Sequence, residues 1–501
     1  MEETKQQPVN LGTLIPVLGL ALLAVLYQRY GNGDFEGFIH KVYWAVGIAV
    51  ALLVASLGLK FWFKNRGQND PSGLEIGRNI PETSWLPRTR FFLPVHKLRH
   101  ILVTGLTGSG KSTFIRRFVE QILAKDLRFM YFDFKGEQSD YEDLIEICRR
   151  AGIEHEIQSF DLSDPAKCFT CNPLMILQDR LETVGFVKSI FFEKDANPYY
   201  VNQAEQFLHA CLHLLDDSEV PRTFKRIEEI YYNDRTRLTL IARAKAKMRH
   251  GNAAEPFYIN YFNEVFKQLT SKQRSERFSG FLSILTLFNT EPVSRIFNTE
   301  DESQLKLSSV FDENRPVIIR VPGEVYGDFS RKVVEAFVKV MPVLIARRRK
   351  MKNRKDYWLL LDEGCSYVGQ TMVDLAKKAG SAGVKLLVTR MCDSDFESVE
   401  PGFLGKMLSA FDTFVCFQTN EPQTRETMAK LAMTYETQKR TFRLQRGEET
   451  GDGSIRLVRE FRVHPTEFGQ LQPGQAYFIA PRIQLFQKVQ ISQPNMLKEA
   501  A

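Results

Sequence analysis

The stretch Gly105-Leu-Thr-Gly-Ser-Gly-Lys-Ser-Thr113 decides the fold of this chain. It follows a short apolar run, Ile101-Leu-Val-Thr104, and it precedes a segment that we expect to be helical, residues 114–123. A glycine-rich loop between a strand and a helix, with the spacing G-x-x-x-x-G-K-[ST], is the pattern of a phosphate-binding P-loop. The sequence therefore predicts a nucleotide site at this loop.

The residues of the loop have separate predicted roles. Glycines let backbone N–H groups face phosphates without a Cβ in the way, and the helix that starts here adds the positive end of its dipole. We expect Lys111 to reach the β- and γ-phosphates of ATP and the Ser112 hydroxyl to bind Mg²⁺. The predicted nucleotide-binding residues are Gly105, Thr107, Gly108, Ser109, Gly110, Lys111, Ser112 and Thr113.

A second apolar run ends in two acids that would complete the site. Tyr357-Trp-Leu-Leu-Leu directly precedes Asp362 and Glu363. Asp362 is predicted to hold Mg²⁺ through water, and Glu363 is predicted to polarise the attacking water, which makes Glu363 and Lys111 the candidate catalytic residues. The alternative is an acidic pair at a strand end with no catalytic role, which the presence of an intact P-loop disfavours.

Further short apolar runs alternate with helical patterns, which indicates an α/β sheet with helices on both faces. We expect buried parallel strands at residues 129–132, 317–321, 384–388, 413–417 and 476–479. Between Thr183 and Asn289 the pattern is helical only, and it predicts an all-helical insertion in the α/β core.

The charge pattern permits nucleic acid as a partner without requiring it. The chain of 501 residues has a net charge of +7, and residues 222–249 hold nine Lys or Arg against three acids. This basic stretch is interpreted either as a solvated helix face or as the lining of a nucleic-acid path, since phosphate contacts need only a row of cations. A second basic cluster, residues 347–355, has a simpler explanation as a helix C-terminus.

Two uncharged apolar segments near the start predict a membrane hairpin. The predicted spans are residues 11–27 and about 42–63. Their uncharged runs, residues 11–27 and 42–59, approach the length that crosses about 30 Å of hydrocarbon, and aromatic residues flank the second run. Lys60, Lys64 and Arg66 follow it, which predicts cytoplasmic termini. A signal peptide or a core helix is the alternative. On this basis the protein is expected to be a multi-pass membrane protein, with the bulk of the chain cytoplasmic.

Seven cysteines show no disulfide framework, which suggests a reducing compartment. Cys168 and Cys171 form a CxxC pair, and His209 and His213 have helical i, i+4 spacing. These four residues are interpreted mainly as two buried thiols and two histidines on a helix face. A zinc site is the minor alternative, because metal sites normally have tighter spacing.

Taken in order, the motifs resemble one known family, the type IV secretion coupling proteins of conjugation systems. The resemblance begins with the apolar hairpin and the GLTGSGKS loop. It continues through Asp133-Phe-Lys-Gly-Glu137, Asn172-Pro-Leu174, the helical insertion and the Leu-Leu-Leu-Asp-Glu-Gly stretch. It closes with His464-Pro-Thr-Glu-Phe-Gly-Gln-Leu471 and Gly474-Gln-Ala-Tyr477.

The resemblance implies a RecA-like P-loop motor related to the FtsK and HerA pumps, which assembles as a homo-hexamer. Its implied cofactors are ATP and Mg²⁺. Its implied partners are DNA, bound independently of sequence, a relaxase, the channel proteins of type IV secretion and the membrane, which the resemblance implies is the bacterial inner membrane. The implied domains are a membrane anchor at 1–66, the first part of the motor at 67–182, the helical insertion at 183–290 and the rest of the motor at 291–501.

Two positions depart from the family pattern. Relatives carry an arginine before the strand that starts at Val384, where this chain has glycine and serine, and a glutamine after that strand, where it has Thr389-Arg390-Met391. Arg390 is a candidate replacement that would act as an arginine finger. The departures keep two alternatives open: another membrane-tethered DNA translocase of the FtsK/HerA type, or a nucleotide-binding scaffold that recruits substrates and hydrolyses little.

Overall fold

The computed structural model of this protein describes most of the chain after residue 71. The described residues are 40, 43–44, 46–48, 50–58, 72–81, 88–177, 179–192, 196–248, 255–300, 310–311, 313–352, 354–363, 369–445 and 448–494. Residues 1–70 and 71–501 form two separate compact units.

In the first unit the described residues are helical and exposed, including residues 50–58. The first predicted membrane span, 11–27, lies outside the described residues, and the second, 42–63, is described only in part. A span takes about 20 consecutive apolar residues in one helix. Within the part of the chain that the structure describes, no helix has the length and apolar character to cross a bilayer. The predicted multi-pass location in the inner membrane is therefore wrong.

The strands of the second unit are β1 Leu74–Asn79, β2 Arg90–Leu93, β3 Ile101–Thr104, β4 Arg128–Asp133, β5 Gln158–Asp161, β6 Val317–Arg320, β7 Tyr357–Leu361, β8 Val384–Arg390, β9 Thr413–Cys416, β10 Thr434–Gln445, β11 Glu448–Phe461, β12 Gln475–Ala480 and β13 Leu485–Ile491. Eleven of them form one sheet in the spatial order β2-β1-β13-β12-β9-β3-β8-β7-β4-β6-β5. The other two, β10 and β11, pair separately with each other.

The seven strands from β9 to β5 in this order are parallel. They are almost entirely buried, as expected for a parallel sheet that is covered on both faces. The α/β fold class predicted from the sequence is confirmed. One strand prediction was wrong in direction: β12, predicted as parallel at 476–479, pairs antiparallel with both β9 and β13. It belongs to an antiparallel flank that also contains β1 and β2.

Helices cover both faces of the sheet. Along β7, Trp358 faces one apolar core together with Phe118, and Leu359 faces the other core together with Phe337. The α-helices outside the helical region are Lys111–Leu123, Gln138–Arg150, Gly323–Tyr326, Asp328–Arg348, Gln370–Ala379, Asp393–Glu397, Phe403–Ala410, Pro422–Leu431 and Pro465–Gly469. Short 3-10 turns occupy Val95–Lys97, Glu154–Glu156, Pro165–Lys167, Gly380–Ala382 and Pro481–Ile483.

From Pro173 to Phe297 the described residues contain helices and no strand. The helices are Pro173–Ile176, Arg180–Phe191, Pro198–Asp217, Phe224–Tyr232, Asp234–Met248, Phe257–Asn260, a π-helical turn at Tyr261–Phe266, Ser271–Asn289 and Val293–Phe297. Aromatic side chains fill the space between them, with Phe207 packed against Phe266, Phe278 and Phe281. The domain limits predicted at 183 and 290 stay a prediction.

His100 links the first parallel strand to its neighbour. Its Nδ1 accepts a hydrogen bond from the backbone N–H of Leu386 in β8, at 3.0 Å, and the ring is buried. Burial lowers the pKa of His100 from 6.5 to about 4. The folded protein therefore keeps this imidazole neutral at pH values where the unfolded chain protonates it.

This difference predicts an acid-dependent loss of stability. As the pH falls from 6.5 to 4, His100 binds a proton in the unfolded state but not in the folded state. This difference in proton binding lowers the free energy of unfolding, in total by about 3 kcal/mol. We expect His100→Gln to remove that part of the pH dependence. Urea unfolding of both proteins at several pH values tests this, and parallel pH profiles would contradict it.

Candidate nucleotide site

The predicted P-loop connects β3 to the helix Lys111–Leu123 at the carboxyl edge of the parallel strands. The backbone N–H of Leu106 donates to the carbonyl oxygen of Gln418, just beyond β9, at 2.9 Å. The loop turns at Gly110, whose φ is +113°. A Cβ at Gly110 would lie 3.0 Å from the Cα of Gly474, so only glycine fits both the angle and the space.

Gly474 connects the P-loop to β13 through two backbone hydrogen bonds. Its N–H donates to the carbonyl oxygen of Ser109 at 2.8 Å, and its own carbonyl accepts from the N–H of Ile491 in β13, also at 2.8 Å. The Gly474-Gln-Ala-Tyr477 stretch near the end of the chain is thus a support of the P-loop. Sequence reasoning found the motif but not this role, because the contact joins residues far apart in the chain.

Lys111 is the first residue of the helix and only 4% exposed. Its ammonium donates to the carbonyl oxygens of Gly105 and Leu106, the second at 3.0 Å. Burial lowers the pKa of Lys111, and the nearby charge of Lys135 acts in the same direction, while Asp362 and Glu363 oppose both. These interactions show that Lys111 shares one electrostatic environment with the acidic pair.

The acidic pair follows β7, which lies two strands from β3 with β8 between them. Asp362 is 1% exposed and Glu363 adopts a positive φ of +53°. Thr389 in β8 connects the two acids. Its hydroxyl donates to Oδ1 of Asp362 and accepts from the backbone N–H of Glu363 at 2.8 Å. This one side chain fixes the direction of the Asp362 carboxylate and the turn at Glu363.

The strand β4 brings a further cation, Lys135, to the site. Lys135 follows β4, and its Nζ lies 3.2 Å from Oε1 of Glu363 and 3.9 Å from Oδ2 of Asp362. Although burial opposes it, the two carboxylates raise the pKa of Lys135 above its usual range. On the same strand, burial raises the pKa of Asp133 to about 6, with the charge of Asp362 acting in the same direction.

The chemistry of these residues fits a magnesium–nucleotide complex. A Cβ at Gly108 would meet no heavy atom within 4 Å, so the loop backbone is open on that side, and its N–H groups suit phosphate oxygens. Ser112, in the first turn of the helix, and Asp362 supply the oxygen donors that Mg²⁺ prefers. Thr107 is exposed, and Ser112 and Thr113 are half-buried. The roles assigned to these residues stay predictions.

Arg390 does not act as an arginine finger, so that interpretation was wrong. Its side chain is fully buried and pairs with Asp393 at 2.6 Å. Nε donates to the Thr104 hydroxyl at 3.0 Å, and the guanidinium lies 4.7 Å from the centre of the Phe396 ring. A side chain engaged in this way within its own subunit is not available to a neighbour's nucleotide.

Two of the four residues considered for zinc, Cys168 and His213, have other partners. The Cys168 thiol donates to the carbonyl of Asp161 at 3.0 Å, and Cys171 is buried. His213 contacts Arg180 through Nδ1 at 2.8 Å. Among the described residues no group of three or more His, Cys, Asp or Glu side chains is placed to hold a metal ion. Cys171 is thus a buried thiol and Cys168 a half-buried one, and the interpretation of the four residues stays a prediction.

Many cations of the two basic stretches are engaged in the structure. Lys245 pairs with Glu255 at 2.5 Å, and Lys247 pairs with Glu219. In the second cluster the buried Arg348 donates to the carbonyls of Phe311, Ala382 and Lys355. This second cluster lies at the end of the helix Asp328–Arg348, in line with its explanation as a helix C-terminus.

Comparisons with known proteins agree with this geometry. Residues 74–304 match the family described as the central domain of the helicase HerA. A solved structure of the conjugative coupling protein TrwB, unbound, has a TM-score of 0.61 at 16% identity and covers 82% of this chain and 89% of its own. A TrwB complex with ADP and Mg²⁺ has a TM-score of 0.58 at 17% identity, covering 82% and 88%. No curated protein sequence matches the chain.

A second protein shares this fold at lower similarity. VirB4 of Thermoanaerobacter pseudethanolicus has a TM-score of 0.52 at 13% identity, covering 85% of this chain and 98% of its own. The class of protein is thus a P-loop ATPase with a HerA-type domain, and its fold is that of TrwB and VirB4. The resemblance predicted from the sequence is confirmed. The predicted cofactors, ATP and Mg²⁺, agree with the ligands of the TrwB complexes.

The bridge formed by Thr389 predicts the effect of its removal. In Thr389→Val, Asp362 loses its hydroxyl donor and the Glu363 N–H loses its acceptor, so we expect ATP hydrolysis to fall about 10- to 100-fold. Thr389→Ser keeps the hydroxyl and should retain most of the rate. Steady-state phosphate release tests both variants, and an unchanged rate in Thr389→Val would contradict the role of the bridge.

Proposed function

We propose that this protein is the ATPase that couples a relaxase–DNA or protein substrate to a type IV secretion channel and powers its transfer. The observation that carries the proposal is the convergence of Lys111, Asp362 and Glu363 at one edge of a sheet with the TrwB fold. The 16% identity to TrwB by itself supports only the fold.

The chain's own residues account for the hydrolytic step. The ammonium of Lys111 moves from the carbonyls of Gly105 and Leu106 to the terminal phosphates, where its charge is compensated. Glu363 orients a water molecule and accepts its proton as the water attacks the γ-phosphorus, while the bond from that phosphorus to the β-phosphate oxygen breaks and ADP leaves. Thr389 keeps Asp362 directed to the metal site. Bound Mg²⁺ would supply neutralisation of the developing charge on the phosphate oxygens.

The motor is proposed to work as a homo-hexamer on DNA. The supporting features are the HerA-type domain and the fold shared with a coupling protein. A ring places each nucleotide site near the next subunit, and that arrangement normally supplies a trans-acting arginine. Arg390 is buried, and Gly380 and Ser381 occupy positions before β8 where the resemblance leads us to expect an arginine.

These same features favour one alternative function. A site without a trans-acting arginine would bind ATP and hydrolyse it slowly, because that residue commonly accelerates phosphoryl transfer by about 10³–10⁵. The protein would then act as a nucleotide-dependent scaffold that recruits substrates. The turnover number with and without DNA separates the two functions: stimulation by DNA supports the motor, and slow, unstimulated turnover supports the scaffold.

Two substitutions test the nucleotide site directly. Lys111→Ala removes the cation of the P-loop and should abolish ATP binding and substrate transfer. Glu363→Gln keeps the shape of the side chain and removes the base, so ATP should still bind while hydrolysis falls by about 10²–10⁴-fold. Nucleotide binding, hydrolysis and transfer frequency are measured on the same variants. Wild-type transfer by Lys111→Ala would refute the motor.

Contact with DNA is tested on the exposed face of the helix Asp234–Met248. Arg235 and Arg243 lie on this face, eight residues apart. If both contact phosphates, the variant Arg235→Gln/Arg243→Gln should bind DNA more weakly, and the slope of log K against log salt should fall by about 2. Lys245→Gln/Lys247→Gln is the matched control, since both lysines are paired with acids. If the salt titrations of DNA binding are the same for the Arg235→Gln/Arg243→Gln variant and the wild type, this face is solvent-exposed and does not contact DNA.

A further inference from the structure

The turn after β4 is built to hold one lysine in a fixed place. Oδ1 of Asp133 accepts hydrogen bonds from the N–H groups of Lys135 and Gly136, at 3.1 and 2.9 Å. Gly136 has a φ of +71°, and a Cβ there would lie 2.6 Å from Cγ of Pro322. Arg320 donates to the carbonyl of Gly136. The backbone at Lys135 is therefore held on several sides.

This turn directs the Lys135 ammonium at the acidic pair. Nζ lies 3.2 Å from Glu363 and 3.9 Å from Asp362, and the Lys135 side chain is 17% exposed. Lys111 donates instead to the carbonyls of its own loop. Two adjacent carboxylates repel each other, and the repulsion is stronger at a partly buried site. Lys135 is thus placed to neutralise the pair.

A divalent metal ion requires the same carboxylate. Asp362 is the predicted Mg²⁺ residue, and its Oδ2 is the atom closer to Lys135. An ammonium about 4 Å from that oxygen and a metal ion next to it would repel each other. The two cations therefore compete for Asp362.

We propose that Lys135 is a positioning residue that stands in for the metal ion in the nucleotide-free site and is displaced from Asp362 when a divalent cation arrives with the nucleotide. This inference rests on the proposed ATPase function and adds a control step to it. Before nucleotide binds, Lys135 also engages an oxygen of Glu363, so the candidate base is restrained. Displacement by the metal frees Glu363 to accept the proton of the attacking water.

The proposal gives opposite effects on two binding steps. Loss of the Lys135 charge removes an attraction for the phosphates, so ATP without metal should bind more weakly. The same loss removes the competitor for Asp362, so Mg²⁺ should bind more tightly to the complex with ADP. A residue with only a structural role would weaken both steps, because a distorted turn moves Asp362 and the phosphate loop away from their ligands.

The experiment uses the full chain with Lys135→Met, which lacks the charge, and Lys135→Arg, which retains it. Lys188→Met is the matched control, because Lys188 forms an ion pair with Glu205 at 2.7 Å in the helical region. ATP affinity is measured in the presence of EDTA, and Mg²⁺ is then titrated into the ADP complex. We expect Lys135→Met to bind ATP at least about 3-fold more weakly and Mg²⁺ at least about 3-fold more tightly. Lys188→Met should match the wild type, and Lys135→Arg should change both affinities less than Lys135→Met does.

Each other result overturns the proposal. If both affinities fall in Lys135→Met, the lysine is structural, and if neither changes, it does not compete with the metal. Lys135→Gln, which also lacks the charge but keeps a donor for Glu363, replaces the methionine variant if that one does not fold. If the wild type itself fails to bind ATP, the proposed function fails and this inference with it. If the wild type binds ATP but Lys135→Met does not show weaker ATP binding together with tighter Mg²⁺ binding, only the inference fails.

Discussion

The site depends on the parallel register of β3, β8 and β7. In this register Thr104 lies beside Arg390, and Leu361 lies beside Val388, so β3 and β8 end level with each other and β7 ends two residues earlier. The P-loop follows the end of β3, the Asp362–Glu363 pair follows the end of β7, and Thr389 lies in the last two residues of β8. Parallel strands of an α/β sheet generally present their binding residues at this carboxyl edge. A slip of one residue in β8 would turn Thr389 to the other face and break both of its hydrogen bonds.

The balance of charge at this edge is the second constraint. Lys111, Lys135, Asp133, Asp362 and Glu363 come from three strand ends in a largely buried space. Buried charges are tolerated only when they are paired and hydrogen-bonded. Lys135 and Thr389 satisfy the acidic pair, and backbone N–H groups satisfy one oxygen of Asp133. A nucleotide and its metal ion bring both signs of charge into this set, so the pairs must rearrange when they bind.

In β8, the strand beside β3, the residue at the end of the strand has a structural role. Arg390, at the end of β8, is a buried structural cation that joins this strand to Asp393 and packs over Phe396. Asp393 also accepts from Thr427 in the helix Pro422–Leu431, at 2.6 Å. This helix directly precedes the long ribbon of β10 and β11. Through Asp393 the end of β8 is connected to the helix Pro422–Leu431, and Arg390 stabilises this connection within the subunit.

The sequence by itself determined the features that local pattern encodes. Spacing alone predicted the P-loop and the acidic pair after β7, and short apolar runs located the central strands, because such runs are required wherever a sheet is covered on both faces. Apolar length also predicted a membrane hairpin, which stays unconfirmed: one segment lies outside the described residues, and no described helix meets the requirement for a span. The tertiary structure decided the rest, namely the antiparallel direction of β12, the support of the P-loop by Gly474, the bridge through Thr389 and the pairing of Lys135 with Glu363. Each of these is a contact between residues distant in the chain, and no local spacing specifies which strand ends will meet.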